Sequence, residues 1–190
     1  LAAGQVGGPS LREAGEAAEP DDLVVEADAE LARLSAERDE LRDKWMRALA
    51  DAEVLVVATT GGKPVPADIP ANARVVQFVP YAELLPKVDV MITNGGYGGT
   101  QFALAHGVPL IVAGDSEDKP DVAARVAWSG AGINLRTGKP APKAIRAAVD
   151  RVLATPAYRE RAGALQRSMA GLNAVVTVAD RLEEAAGLNR

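Results

Sequence analysis

The sequence predicts an α/β protein, a doubly wound parallel sheet preceded by a long helix and a disordered tail. Three observations predict it. From residue 54 onward, short runs rich in valine, isoleucine and leucine alternate with amphipathic segments, the pattern of strands linked by crossover helices. A glycine cluster, Thr93-Asn94-Gly95-Gly96-Tyr97-Gly98-Gly99-Thr100, sits between one such run and a helical segment. Before residue 54 the apolar period changes to seven and acidic residues dominate, so the chain divides near Glu53 into a helical segment and a domain.

Composition narrows the function classes. Apolar residues are 48% of the 190-residue chain, enough for a sizeable core, but aromatics are only 4%. The core is therefore built from Ala, Val, Leu and Ile. No cysteine is present and His106 is the only histidine, which leaves no thiolate or multi-histidine metal site and fits a reducing, cytoplasmic setting. No apolar run reaches the roughly 20 residues of a membrane helix, and no basic-then-apolar signal segment opens the chain. The formal charge is −5, which argues against a nucleic-acid surface. Charge divides unevenly, net −8 over residues 1–53 and net +3 over 54–190.

Taken in order, residues 1–20 are Gly-, Ala- and Glu-rich with few large apolar side chains. They cannot bury enough surface to offset ordering entropy and are expected to form a disordered acidic tail. Residues 21–53 read as one long amphipathic helix. Leu34, Leu41 and Ala48 repeat every seven residues, with Leu31, Arg38, Trp45 and Ala52 as the companion row. This seam either pairs two copies over residues 23–52 as a coiled coil or lies on the following domain, and the residues leave both open.

The domain over 54–190 opens with Val54-Leu55-Val56-Val57-Ala58, a run expected to be a strand buried on both faces. Residues 59–62 turn off its end, and a Pro-rich loop follows. Arg74-Val75-Val76-Gln77-Phe78-Val79 reads as the second strand, stopped by Pro80, and 81–86 as a helical turn. The third strand, 88–92, leads into the glycine cluster and a short helix over 101–107. Leu110-Ile111-Val112-Ala113 is the fourth strand and 131–135 the last. Helices are expected over 121–129, 142–153, 156–169 and 174–186, with Tyr158, Leu165 and Met169 facing inward.

Ligands of doubly wound sheets sit beyond the C-terminal strand ends. The loops at 59–62, 79–81, 93–100 and 114–119 are therefore expected along one edge. The glycine cluster carries most of the chemistry. A helix start has unpaired N–H groups and a partial positive charge, which suit a phosphate. Glycines let the backbone turn and let a ligand come close. The same cluster also reads as a tight turn that binds nothing.

Several ordered motifs then resemble one family. They are Ala48-Leu49-Ala50-Asp51, Val56-Val57-Ala58-Thr59-Thr60-Gly61-Gly62, Phe78-Val79-Pro80, Leu84-Leu85-Pro86, the glycine cluster, Ala105-His106-Gly107-Val108-Pro109, Asp118-Lys119-Pro120 and Ala131-Gly132-Ile133-Asn134-Leu135. Together, over about residues 49–188, they resemble the C-terminal, donor-binding half of GT-B glycosyltransferases of the UDP-glycosyltransferase-like and macrolide glycosyltransferase type.

The resemblance implies transfer of a hexosyl group from a nucleotide sugar, UDP- or dTDP-linked, to an acceptor hydroxyl. The nucleotide sugar is then a substrate, and neither cofactor nor metal is implied. Phe78 and Val79 stand where the family holds the base, the ring by stacking and the backbone of Val79 by polar contacts. The ring of Phe78 also reads as an apolar plug at a strand end. Asn94 stands where many members have a histidine on the diphosphate. Gly96, Gly98, Gly99 and Thr100 match the diphosphate cradle. Asp118 and Lys119 stand at the pair that grips sugar hydroxyls, and they also read as part of a solvated acidic loop. Phe102 departs from the acidic or amide side chain that holds the ribose, a contact a phenyl ring cannot make. His106 reads as structural.

The resemblance assigns no catalytic residue to this chain, since the general base and the acceptor belong to a missing N-terminal half. It further implies that the donor domain lacks its first strand, with the string 48–52 as the junction of a chimaeric or truncated frame. Residues 28–53 resemble the long helix of GrpE-type nucleotide exchange factors, through Glu30-Leu31-Ala32-Arg33-Leu34 and the 37–53 segment. The alternative function is thus a non-enzymatic coiled-coil interaction protein, or a GrpE-like chaperone cofactor fragment fused to an inactive remnant.

Overall fold

The computed structural model describes residues 20–172 and 174–187. The expected tail lies outside them but for Pro20. The chain separates into two units, up to Asp39 and from Glu40 onward.

Helix α1 spans Pro20–Ala48. Up to residue 39 its side chains are mostly exposed, Leu31 at 67% and Leu34 at 46%. Arg33 donates to both carboxylate oxygens of Glu30, at 2.7 and 2.6 Å. The helix expected over 21–53 stops at Ala48 because i→i−3 bonds take over, Leu49 N–H to Met46 O and Ala50 N–H to Arg47 O. Asn72 Nδ2 then donates to the carbonyls of Leu49, Ala52 and Val54 at 2.8, 3.2 and 3.0 Å. One side-chain amide thus ties together three carbonyls of the turn, the Leu49 oxygen also accepting from Ala52 N–H at 3.0 Å.

In the second unit the strands are β1 (Val56–Thr59), β2 (Ala73–Val76), β3 (Met91–Thr93), β4 (Leu110–Val112) and β5 (Gly132–Asn134). All pairings are parallel, as the β-branched runs predict, but they form two sheets and not one: β1-β2 and β3-β4-β5. This accords with a sheet lacking one strand. The intervening helices are α2 (Tyr81–Leu84) with a 3-10 turn at Leu85–Lys87, α3 (Tyr97–Ala105), α4 (Lys119–Ser129), α5 (Pro142–Ala154), α6 (Pro156–Ala170) and α7 (Ala174–Ala185).

β4 is the centre of the core. Leu110, Ile111 and Val112 are all fully buried, and the strand alternation sends them to opposite faces. Leu110 and Val112 join Ala103, Leu104, Ala123, Val126 and Ala162 of α3, α4 and α6, with Leu165 and Met169 packed against them. Ile111 joins Ile145, Val149 and Val152 of α5 and Leu49 after α1, with Tyr158 alongside. The inward positions predicted for Tyr158, Leu165 and Met169 are those observed.

Two expectations need correction. β1 is not buried on both faces: Leu55 is 65% and Val57 40% exposed, because the sheet ends beside it without a strand to widen the covered face. Helix α3 starts at Tyr97 and not at residue 101, so Gly98 and Gly99 lie inside its first turn. Likewise α4 starts at Lys119, with Asp118 as its N-cap.

Candidate functional site

The site is built where β3 passes into α3. Gly95 has φ +87°, and a Cβ there would lie 2.6 Å from Val112 Cγ1. A Cβ on Gly114 would lie 2.0 Å from the Asn94 carbonyl oxygen. These two glycines are demanded by the fold, because they press the 93–96 turn onto the loop after β4. Thr93 Oγ1 accepts from Gly95 N–H and Asn94 Oδ1 from Gly96 N–H, both at 3.2 Å. The Asn94 carbonyl oxygen of the side chain is thus spent on holding the turn.

Gly96 is the N-cap of α3 and makes no side-chain capping bond. Thr100 N–H is the first to find a helical partner, Gly96 O at 3.1 Å. The N–H groups of Tyr97, Gly98 and Gly99 belong to the first turn and have no intrahelical acceptor. A Cβ on Gly98 would meet nothing within 4 Å, and one on Gly99 only Met91 Cε at 3.8 Å. Neither has a positive φ. Each costs about 1 kcal/mol of helix propensity against alanine, and no contact or backbone angle among the described residues requires it. Bare backbone at a helix start is what an approaching anion needs. Thr100 is 2% exposed, and its buried Oγ1 has no hydrogen-bond partner.

A cleft of 320 Å³ reaches α3 at Phe102. Thr59 and Gly61 come to it from the end of β1, Phe78 and Val79 from the end of β2, Tyr81 from α2 and Phe102 from α3. Phe78 is 76% exposed, which excludes an apolar plug. Tyr81 and Phe102 meet edge to face, with ring centroids 5.9 Å apart and planes at 75°. The chain has two Trp, three Tyr and two Phe, so three of its seven aromatic rings line one opening. Aromatic faces held open to solvent can stack on a planar ligand.

The loop after β4 meets the turn at Gly95 and Asn94. Lys119 is packed against Gly95, and its Nζ contacts the Glu117 carboxylate and lies 3.5 Å from Ser116 Oγ. Its charge is therefore balanced locally. Asp118 is exposed and makes no side-chain capping bond at the start of α4, leaving its carboxylate free to accept hydroxyls. His106 is the C-cap of α3, with Nδ1 2.8 Å from Phe102 O, a structural position.

The structure brings Asn94, Gly96, Gly98, Gly99 and Thr100 together with Lys119 through Gly95, and brings Phe78 and Val79 to α3 through Phe102. Tyr81 as a wall of the cleft was not foreseen. The scarcity of aromatics, together with a tyrosine directly after Phe78-Val79-Pro80, was the available signal. Among the described residues no helix is long and apolar enough to cross a membrane.

Residues 44–185 match the profile described as "Erythromycin biosynthesis protein CIII-like, C-terminal domain". The chain is 51% identical over 138 residues to 4'-demethylrebeccamycin synthase of Lentzea aerocolonigenes, covering 73% of this chain and 33% of that protein. It is 41% identical over 146 residues to UDP-glucosyltransferase A1 of Starmerella bombicola, covering 74% and 32%. Among solved structures, the calicheamicin glycosyltransferase CalG4 superposes with a TM-score of 0.69 at 31% identity, over 78% of this chain and 40% of that one. The glycosyltransferase VinC, in complex with dTDP, gives 0.67 at 28%, over 77% and 37%. The chain thus spans about a third of the length of the curated relatives it matches. These similarities favour the glycosyltransferase reading over the chaperone-cofactor alternative.

Proposed function

The chain belongs to the erythromycin biosynthesis protein CIII-like C-terminal domain family, of GT-B glycosyltransferase fold, and we propose that it is the part that holds the nucleotide-sugar donor in hexosyl transfer. The observation that carries the reading is the first turn of α3. Gly98 and Gly99 stand there although no packing or backbone angle among the described residues asks for glycine. Their N–H groups and the helix dipole meet the diphosphate. Phe78 stacks on the base, Val79 offers its backbone to the base edge, and Asp118 accepts hydroxyls of the sugar, with Lys119 as a donor beside it. The donor is UDP- or dTDP-linked.

In the reaction the bond between the sugar anomeric carbon and the diphosphate oxygen breaks. A bond from the acceptor oxygen to that carbon forms, and the acceptor proton passes to a base. This chain contributes to the first event. The helix N-terminus stabilises charge growing on the departing diphosphate, a preorganised electrostatic effect. The acceptor site and the base are contributed by the remaining two thirds of the relatives' architecture. The cysteine-free composition fits action in the cytoplasm. Exposed Leu31 and Leu34 on α1 favour pairing of two chains through residues 23–52, which sedimentation of the full chain against a Leu31→Lys, Leu34→Lys variant reads directly.

Calorimetry tests the donor reading. Titration with UDP-glucose and with dTDP-glucose is expected to give saturable heat from one of them, lost in Gly99→Asp. An added Cβ at Gly99 would meet only Met91 Cε, at 3.8 Å, and thermal unfolding of the variant checks that it is folded. No heat from either sugar nucleotide, or equal heat from Gly99→Asp, overturns the reading.

A further inference from the structure

One asparagine of the chain is followed by glycine. Asn94 precedes Gly95, whereas Asn72 and Asn173 precede alanine, Asn134 leucine and Asn189 arginine. The backbone nitrogen after an asparagine can attack the side-chain amide carbon and close a cyclic imide. A glycine leaves that nitrogen unshielded, because it has no Cβ. The turn around Asn94 arranges the groups this reaction needs. Asn94 Oδ1 accepts from Gly96 N–H at 3.2 Å, so the side chain is folded back over the Gly95 peptide. The same N–H is placed to hold the charge that develops on Oδ1 when the nitrogen adds, as a donor in an oxyanion hole does. Gly95 N–H donates to Thr93 Oγ1 at 3.2 Å, a hydroxyl that can take that proton while passing its own to water. Asn94 is exposed, which lets ammonia leave and water enter.

Asn134 supplies a comparison within the chain. Its Oδ1 accepts from Arg136 N–H at 2.7 Å, the same bond to the residue two ahead. The nitrogen between belongs to Leu135, whose side chain crowds the attack. Asn72 is held otherwise, since its Nδ2 donates to the carbonyls of Leu49, Ala52 and Val54, which fixes its amide on another segment.

From this arrangement we propose that Asn94 is a self-modification site, at which the turn converts its own neutral amide into a carboxylate. The bond from the Gly95 nitrogen to Asn94 Cγ forms and the Cγ–Nδ2 bond breaks. The proton that leaves Gly95 is returned by solvent to the departing nitrogen, which leaves as ammonia. Water then opens the imide. Opening at Cγ gives an aspartate, and opening at the main-chain carbonyl gives an isoaspartate, whose chain runs through the former side chain and is one methylene longer. One water is consumed, one ammonia is released and no oxidation state changes. The aspartate keeps an oxygen for Gly96 N–H. The longer isoaspartyl turn has no room, since a Cβ on Gly114 would lie 2.0 Å from the Asn94 carbonyl oxygen and one on Gly95 2.6 Å from Val112 Cγ1. Either product puts a negative charge just before α3. Its effect on a donor rests on the diphosphate role proposed for the first turn of that helix, where like charges would then meet.

The experiment incubates the full chain at mildly alkaline pH beside the free peptide acetyl-Ile-Thr-Asn-Gly-Gly-Tyr-Gly-amide, and follows both by mass spectrometry of the separated peptides. Conversion is expected at Asn94 ahead of the other four asparagines. Its rate in the folded chain is expected to be no less than about a tenth of the peptide's, a barrier difference of about 1.4 kcal/mol. The isoaspartyl fraction is expected to unfold at a lower temperature than the Asn94→Asp variant. That variant, shown to be folded by thermal unfolding, is expected to bind dTDP or UDP roughly tenfold or more weakly than the unaltered chain, and a nucleotide that binds is expected to slow the conversion. A rate in the folded chain below a tenth of the peptide's, or conversion of Asn94 no faster than that of Asn134, overturns the proposal. Equal nucleotide binding by Asn94→Asp overturns the consequence for the donor. A fresh chain that binds neither nucleotide contradicts the donor reading and not the modification, which the mass spectra decide.

Discussion

Tyr81 and Phe102 are joined edge to face at 5.9 Å and 75°, and this pair is the direct tie between the end of the β1-β2 sheet and the helix that carries the glycine turn. Both rings are at least a third exposed, so the contact matters more for position than for burial. A double-mutant cycle with Tyr81→Leu and Phe102→Leu is expected to give a coupling of about 0.5–1 kcal/mol in urea unfolding. Either single change is expected to weaken nucleotide binding by loosening the cleft wall. Strict additivity contradicts the tie.

The glycines divide into two groups with opposite expected outcomes. Gly98→Ala stabilises the chain by about 0.5–1 kcal/mol, since helix propensity improves and the space is open, while it weakens nucleotide binding. Gly95→Ala destabilises by about 2 kcal/mol or more, from the positive φ and the overlap with Val112. Thermal unfolding of the two variants side by side measures the contrast. Equal destabilisation by both contradicts the assignment of Gly98 to a ligand.

Asn72 is expected to be the most sensitive polar residue outside the core. Its Nδ2 serves three carbonyls between α1 and β1. Asn72→Ala is expected to cost about 1–3 kcal/mol, and Asn72→Asp no less, because a carboxylate has the size but no donor. A mild Asn72→Asp effect in urea unfolding contradicts the donor role.

On α1 the Arg33 hydrogen bond lowers the carboxyl of Glu30 below its ordinary value of 4.5, with the charge of Arg33 acting the same way. A depressed folded value means that the pair's contribution is fully present above 4.5 and disappears as pH falls through the lowered value. The side-chain carbon resonance of Glu30 is expected to titrate below 4.5, and to move up toward it in Arg33→Ala. A midpoint at 4.5 or above in the unaltered chain contradicts the pairing.

How much of this was legible in the sequence depends on the range of the interactions concerned. The strands at 56–59, 91–93 and 110–112 were visible because β-branched runs bounded by Gly and Pro are local signals. The position of the glycine turn was visible for the same reason. The start of α3 was misplaced by four residues, because Gly98 and Gly99 oppose helix formation locally and the packing of the helix overrides them. The exposure of Leu55 and Val57 could not be read, since it depends on which strand fails to sit beside β1. Phe78 is identical in sequence terms whether it plugs a strand end or faces solvent, and only the fold at 76% exposure separates the two. Phe102, which read as a lost polar contact, belongs to an aromatic wall through Tyr81, a residue 21 positions away.

The most direct measurement is an amide chemical-shift titration of the full chain with dTDP and with UDP. The account predicts saturable shifts centred on Tyr97, Gly98 and Gly99, with a second group at Phe78 and Val79. Shifts confined elsewhere, or an unchanged spectrum with both nucleotides, contradict it.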